Sequence, residues 1–159
     1  MSSNVFDIKH SDILKKADPE SRFYGALLNW KGDDGFWHYG IGLSDDYIFD
    51  TGRGLQPFAA KHVNAKFVEH VSAYAPEQTL QRLIYALECF HHWDYGLLGW
   101  NCEHLARLVA TNEPISYEVK NQFWPIPELN HNGIHPTAKE EFEAYLENYS
   151  SDFLRRVNS

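Results

Sequence analysis

Two neighbouring stretches of sequence decide the fold: residues 37–43 read WHYGIGL, and residues 47–50 read YIFD. In both, large apolar side chains alternate with small or polar ones, as is typical of strands that bury one face. The odd-numbered positions carry most of the large apolar side chains and predict the core face. We expect the two stretches to form a hairpin whose turn is centred on Ser44.

The even-numbered face of this hairpin carries polar side chains and glycines. With the turn at Ser44, His38 lies directly opposite Asp50. Gly40 and Gly42 lie on the same face, and their missing side chains would let another element approach closely. An imidazole held by a carboxylate suits a general base, although His–Asp pairs are also common on solvated strands.

The rest of the chain adds strands and then helices. Residues 22–30 and 66–73 predict further strands. From Pro76 the apolar residues recur at helical spacing, a second helix starts at Asn101, and an amphipathic third helix covers residues 137–157. The predicted fold class is α+β, with an antiparallel sheet packed against a cysteine-bearing helix and a C-terminal helical appendage.

Composition limits the class of protein. The 159 residues, 43% of them hydrophobic, suffice for one domain with a real core. A net charge of −8 disfavours nucleic acid and anionic membranes as partners. The two cysteines are too few for a disulfide framework. No secretory signal or spanning segment is predicted, and we expect a cytoplasmic protein without a stable membrane anchor.

The segment that carries chemistry is residues 101–106, NCEHLA. Asn101 is a good helix N-cap, which puts Cys102 in the first helical turn. There the helix dipole stabilises a thiolate and lowers the thiol pKa, as a cysteine nucleophile requires. From this segment alone, a small buried residue that only fills space is an equally good interpretation. Glu103 is expected on an exposed face, and His104 as a structural hydrogen-bonding residue.

Three stretches together, HYGIGL at 38–43, YIFD at 47–50 and NCEHLA at 101–106, resemble the lecithin:retinol acyltransferase-like family. That family belongs to the NlpC-type papain-like superfamily, in a circularly permuted form where the histidine precedes the cysteine. The resemblance covers residues 22–120, and residues 121–159 form a linker and the last helix of a single domain, 1–159.

The resemblance implies a nucleophile at Cys102, a general base at His38 and a third polar residue that orients the imidazole. Lipid-acting members usually have a histidine at this third position, where this sequence has Asp50. The expected function is a cysteine-dependent acyltransferase or hydrolase that acts on an ester or amide through a thioester. Its substrate would be a small-molecule, lipid or peptide acyl group, and no cofactor is implied.

Two alternative functions stay open. A papain-like peptidase or amidase, such as an isopeptidase, would use the same residue types, and a non-catalytic module would bind a peptide or lipid in the same cleft. His91, His92, Cys102 and His104 could be interpreted as a zinc site, but their spacing matches no standard one, so no metal is expected. Cys89 lies mid-helix without an activating helix terminus, and we expect it only to pack.

Overall fold

The structure, a computed structural model, describes residues 9–32, 35, 37–58, 65–67, 74–91, 102–112 and 138–149. These residues form a mixed α+β fold. The elements in chain order are α1 (His10–Lys16), β1 (Leu27–Lys31), β2 (Trp37–Gly42), β3 (Tyr47–Asp50), β4 (Gly54–Pro57), β5 (Lys66–Phe67), α2 (Pro76–Cys89), α3 (Cys102–Thr111) and α4 (Ala138–Tyr149).

The strands form one antiparallel sheet in the order β4-β3-β2-β1-β5. The predicted hairpin is formed by β2 and β3, and β2 is the central strand of the sheet. The strand predicted over residues 22–30 begins only at Leu27. Of the strand predicted over 66–73, the described part is β5, and residues 68–73 lie outside the described residues.

The register of the central hairpin differs from the prediction by two residues. Gly40 pairs with Asp50, and β1 presents Trp30 opposite His38. The turn is therefore centred on Asp45 and not on Ser44. Ser44 explains the shift, because its Oγ atom accepts hydrogen bonds from the backbone N–H groups of Asp46 and Tyr47, each at 3.1 Å.

Both faces of the sheet are covered. The odd-numbered face packs against the helices in the main core, which confirms the predicted core face; its sheet residues include Tyr39, Ile41, Leu43 and Phe49. Trp37 departs from this pattern, since it is 44% exposed at the start of β2. The even-numbered face holds a smaller apolar cluster of Leu28, Trp30 and Ile48.

The helix α3 is buried over most of its length. Every side chain from Glu103 to Ala110 is buried, and α3 packs chiefly on β2 and on α2. At its C-terminal end, the buried Arg82 of α2 donates to the carbonyl oxygens of Leu108 and Val109, both at 2.7 Å. The Val109 carbonyl is one of the four that a helix end leaves without a partner inside the helix, whereas the Leu108 carbonyl also accepts a hydrogen bond from the backbone N–H of Asn112 at 3.0 Å.

The helix α4 belongs to the same core. Ala138 and Phe142 are fully buried, and the Phe142 ring lies 5.7 Å from the Phe90 ring between centroids. The Tyr145 hydroxyl donates to the Glu88 carboxylate of α2. The helix predicted over 137–157 is thus described as far as Tyr149, and residues 150–159 lie outside the described residues. Within the described part of the chain, no helix has the length and apolar character needed to cross a membrane.

Candidate active site

The cysteine of the NCEHLA segment stands at the start of the central helix. Cys102 is the first residue of α3, whereas Asn101 and the Cys102 side chain lie outside the described structure. The next residue, Glu103, interacts with Tyr39 of β2. Tyr39 directly follows His38, so the first turn of α3 lies at the end of β2 that carries His38.

His38 itself belongs to the other face of the sheet. Its ring stacks on Trp30 of β1, with 6.1 Å between ring centroids and 21° between ring planes. The helix α3 packs on the odd-numbered face, where Arg107 lies over the Tyr39 ring with 5.6 Å to its centroid. The strand β2 therefore contacts α3 through Tyr39, while the adjacent His38 faces away from the main core.

The glycines of β2 allow neighbouring backbone to approach closely, as their missing side chains predict. A Cβ atom on Gly42 would lie 2.1 Å from the carbonyl oxygen of Phe23. Backbone hydrogen bonds hold the same segment in place, because Gly25 donates to Gly42 at 2.8 Å and Gly42 donates to Ala26 at 2.9 Å. The element that approaches Gly42 is thus the turn that precedes β1, whereas a Cβ atom on Gly40 would lie 2.6 Å from the carbonyl oxygen of Phe49 in the paired strand β3.

Asp50 is buried, with 2% of its surface exposed. Its Oδ1 atom accepts hydrogen bonds from the backbone N–H groups of Gly52, at 2.8 Å, and Arg53, at 3.2 Å. This carboxylate therefore organises the turn between β3 and β4. The predicted pairing directly across from His38 is wrong, because Asp50 pairs with Gly40; it shares a face with His38 as a diagonal neighbour, at a usual separation of about 7–8 Å.

The first turns of α3 contain a buried ion pair that the sequence analysis did not assign. The Nε atom of Arg107 lies 2.8 Å from Oε2 of Glu103, four residues earlier. Glu103 is only 1% exposed, so the prediction of an exposed face is wrong. The i, i+4 spacing of the two residues could have predicted the ion pair from the sequence. Its burial could not be predicted, because ion pairs at this spacing are usually solvated; here the pair is buried because α3 packs against both the sheet and α2.

Tyr39 completes this cluster from the sheet. Its hydroxyl donates a hydrogen bond to Glu103 and accepts one from Arg107. Burial, reinforced by the charge of Glu103, raises the pKa of Tyr39 from 10.0 to about 12. The tyrosine is thus a neutral hydrogen-bond donor at physiological pH.

The second cysteine is a poor nucleophile. Cys89 lies at the end of α2, where burial and the nearby Glu141 raise the pKa of its thiol to about 12. A thiol that keeps its proton reacts slowly, because the thiolate is the reactive form. Among the residues that the structure describes, no group of three or more His, Cys, Asp or Glu side chains is arranged to hold a metal ion.

Comparison of the chain with protein-family models, with curated proteins and with solved structures finds no match. The sequence motifs and the geometry around α3 and β2 are therefore the observations that bear on function.

Proposed function

We propose that this protein is a cysteine-dependent acyltransferase or hydrolase that acts on an ester or amide. Cys102 would be the nucleophile and His38 the general base. The observation that carries the proposal is the contact between the first turn of α3 and the end of β2. It joins the residue after Cys102, Glu103, to the residue after His38, Tyr39.

The position of Cys102 supports its role as the nucleophile. The first residue of a ten-residue helix experiences the positive end of the helix dipole, which favours the thiolate over the thiol. The backbone N–H groups of the same turn have no partners inside the helix. The N–H of Cys102 would donate to the oxyanion that forms when the thiolate attacks a carbonyl.

The proposed reaction has two half-reactions. His38 accepts the Cys102 proton, the sulfur attacks the carbonyl carbon, and the leaving alcohol or amine departs with that proton. This gives a thioester on Cys102 and a neutral imidazole. Water or a second nucleophile then gives its proton to His38 and attacks the thioester, which releases the acyl product and restores the thiol. The acceptor decides between hydrolase and transferase.

The resemblance to the lecithin:retinol acyltransferase-like family supports the same proposal, together with a permuted papain-like core. In this scheme Asp50 orients His38 across the diagonal of the hairpin. Its second task in the β3–β4 turn fixes the carboxylate in place. The scheme needs neither a metal nor a cofactor, and it fits a cytoplasmic protein, because thiols stay reduced there.

A specific observation favours a second candidate, the non-catalytic binding module. The His38 ring stacks on Trp30 on the face of the sheet opposite α3. An imidazole that keeps this orientation would not receive a proton from a thiol at the start of α3. The catalytic proposal therefore requires His38 to turn toward Cys102, whereas the binding module does not.

Trapping of an acyl group distinguishes the two candidates. The protein is incubated with short-chain thioesters, with phospholipids and with dipeptide esters, quenched in acid, and mapped by mass spectrometry. The catalytic proposal predicts an added acyl mass on the peptide that contains Cys102, retained in Cys89→Ala and absent in Cys102→Ala. Absence of the adduct with all three substrate classes, in protein that is folded, would contradict the catalytic proposal and leave the binding module. The class that forms the adduct separates acyl transfer from the peptidase alternative.

A further inference from the structure

The buried cluster of Glu103, Arg107 and Tyr39 joins α3 to β2 directly beside the proposed nucleophile. Its three side chains are exposed by only 1%, 7% and 6% respectively. The carboxylate and the guanidinium meet at 2.8 Å, and the phenol bridges both. Buried ion pairs are weak sources of stability, since apolar residues of similar size often stabilise a core equally well. Stability alone is therefore a poor reason for a pair of charges at this place.

The electrostatics of the first helical turn suggest another reason. Glu103 follows Cys102 in the chain, and its negative charge in the same turn disfavours a second negative charge on the thiolate. Arg107 supplies a positive charge one turn later and compensates that of Glu103. Glu103 therefore links α3 to β2 while Arg107 balances its negative charge. The helix dipole can then still stabilise the thiolate of Cys102.

We infer that Glu103, Arg107 and Tyr39 form a positioning unit that fixes the start of α3 on β2 and keeps the charge beside Cys102 balanced. The inference rests on the proposed thiol chemistry of Cys102. The nearest titratable groups are Tyr39, which faces the pair from β2, and His104, which follows Glu103 on α3. Arg82 of α2 lies farther away, at the C-terminal end of α3. The same packed elements carry further titratable groups: His38 lies on the other face of β2, Lys31 ends β1, and α2 contains Glu77, Tyr85, Glu88 and Cys89.

Two substitutions test this role, one that removes a negative charge and one that removes a positive charge. Glu103→Gln keeps the size of the side chain and removes a negative charge next to Cys102, so the pKa of Cys102 should fall. Arg107→Met removes a positive charge one turn from Cys102, so the pKa of Cys102 should rise. A single nearby charge shifts a pKa by about one unit or more, which changes the thiolate fraction about tenfold at a pH below both pKa values. The pKa is measured from the pH dependence of iodoacetamide alkylation at Cys102, followed by peptide mapping.

Further variants separate charge balance from simple loosening of the fold. The double variant Glu103→Gln/Arg107→Met and the charge-conserving Arg107→Lys should both return the Cys102 pKa close to that of the unaltered protein. Glu147→Gln on the exposed face of α4 serves as the surface control. Thermal unfolding shows which variants are folded. If Arg107→Met does not fold, Glu103→Gln decides alone, because a loosened helix start would raise the Cys102 pKa and not lower it.

The outcomes are distinct from those that test the proposed function. Opposite shifts in the two single variants support the positioning unit. Shifts in the same direction, or no shift, overturn it even when Cys102 of the unaltered protein has a lowered pKa. An ordinary pKa of about 8.5 in the unaltered protein overturns the proposed function instead.

Discussion

Arg82 of α2 donates from its Nε atom to the carbonyl oxygen of Val109 in α3 at 2.7 Å, and thus closes the C-terminal end of the helix that begins at Cys102. Its guanidinium also reaches the carbonyl oxygen of Leu108, at 2.7 Å, and the side chain of Asn112, at 2.9 Å. The central helix is therefore held by a buried arginine at one end and by the Glu103–Arg107 pair at the other.

The substitution Arg82→Met should destabilise the protein strongly. It keeps the apolar stem of the side chain but removes the donor to the buried carbonyl oxygen of Val109 and one of the two donors to that of Leu108, which costs about 1 to 3 kcal/mol. Urea unfolding measures the loss. The matched control is Arg53→Met, at an exposed arginine, which should change the free energy of unfolding by less than about 0.5 kcal/mol. Equal stability of the two variants would show that Arg82 does not cap α3.

Gly42 should not tolerate a side chain, because a Cβ atom there would lie 2.1 Å from the carbonyl oxygen of Phe23. We expect Gly42→Ala to lower the free energy of unfolding by at least about 2 kcal/mol, since backbone must move to relieve the clash. Gly35→Ala is the control: its φ is +83° and its surroundings are open, so it should cost only about 1 kcal/mol of backbone strain. A smaller loss at Gly42 than at Gly35 would contradict this close approach.

Tyr39 makes stability depend on pH in the alkaline range. Its folded pKa of about 12 exceeds the ordinary tyrosine value of 10.0, so the folded state holds the proton more tightly than the unfolded state. The resulting stabilisation is complete below about pH 10 and is lost as the pH rises toward about 12. Urea unfolding across this window should show a shallower decline for Tyr39→Phe. Both proteins carry Cys89→Ala, so that its thiol does not contribute, and parallel declines would contradict the raised pKa of Tyr39.

Phe142 tests whether α4 is an integral part of the core. The side chain is fully buried, and Phe142→Ala should cost about 3 to 5 kcal/mol in the free energy of unfolding. Glu147→Ala, on the exposed side of the same helix, should be nearly neutral. If Phe142→Ala left stability unchanged, α4 would not be part of the core.

The sequence predicts the faces of the hairpin but not its register. Alternation has a period of two, so a shift of two residues leaves every side chain on the same face and is invisible in the pattern. Only the hydrogen bonds of the Ser44 hydroxyl, which depend on turn geometry, select the pairing of Gly40 with Asp50. The pattern likewise shows that one face is core, but both faces are covered, and it does not reveal which of them α3 takes.

Short helices and strands are the second feature of the fold that is hard to predict from the sequence. The helix α1 has seven residues with a single buried side chain, Ile13, and β4 has four residues and lies at the edge of the sheet; neither was predicted. The first strand starts later than predicted, at Leu27, because of a tertiary contact. Gly25 has a φ of +69°, and a Cβ atom on it would lie 2.3 Å from the carbonyl oxygen of Pro76. That close approach to α2 makes residues 22–25 a turn.

The pH dependence of alkylation at Cys102, measured beside Cys89 in the same digest, is the sharpest test of whether His38 activates the Cys102 thiol. We predict that Cys102 reacts much faster than Cys89 near neutral pH, with a pKa below about 8.5, and that His38→Ala raises this pKa. His91→Ala, at an exposed histidine, should leave the profile unchanged. A Cys102 profile with an ordinary thiol pKa that is the same with and without His38 would contradict the account.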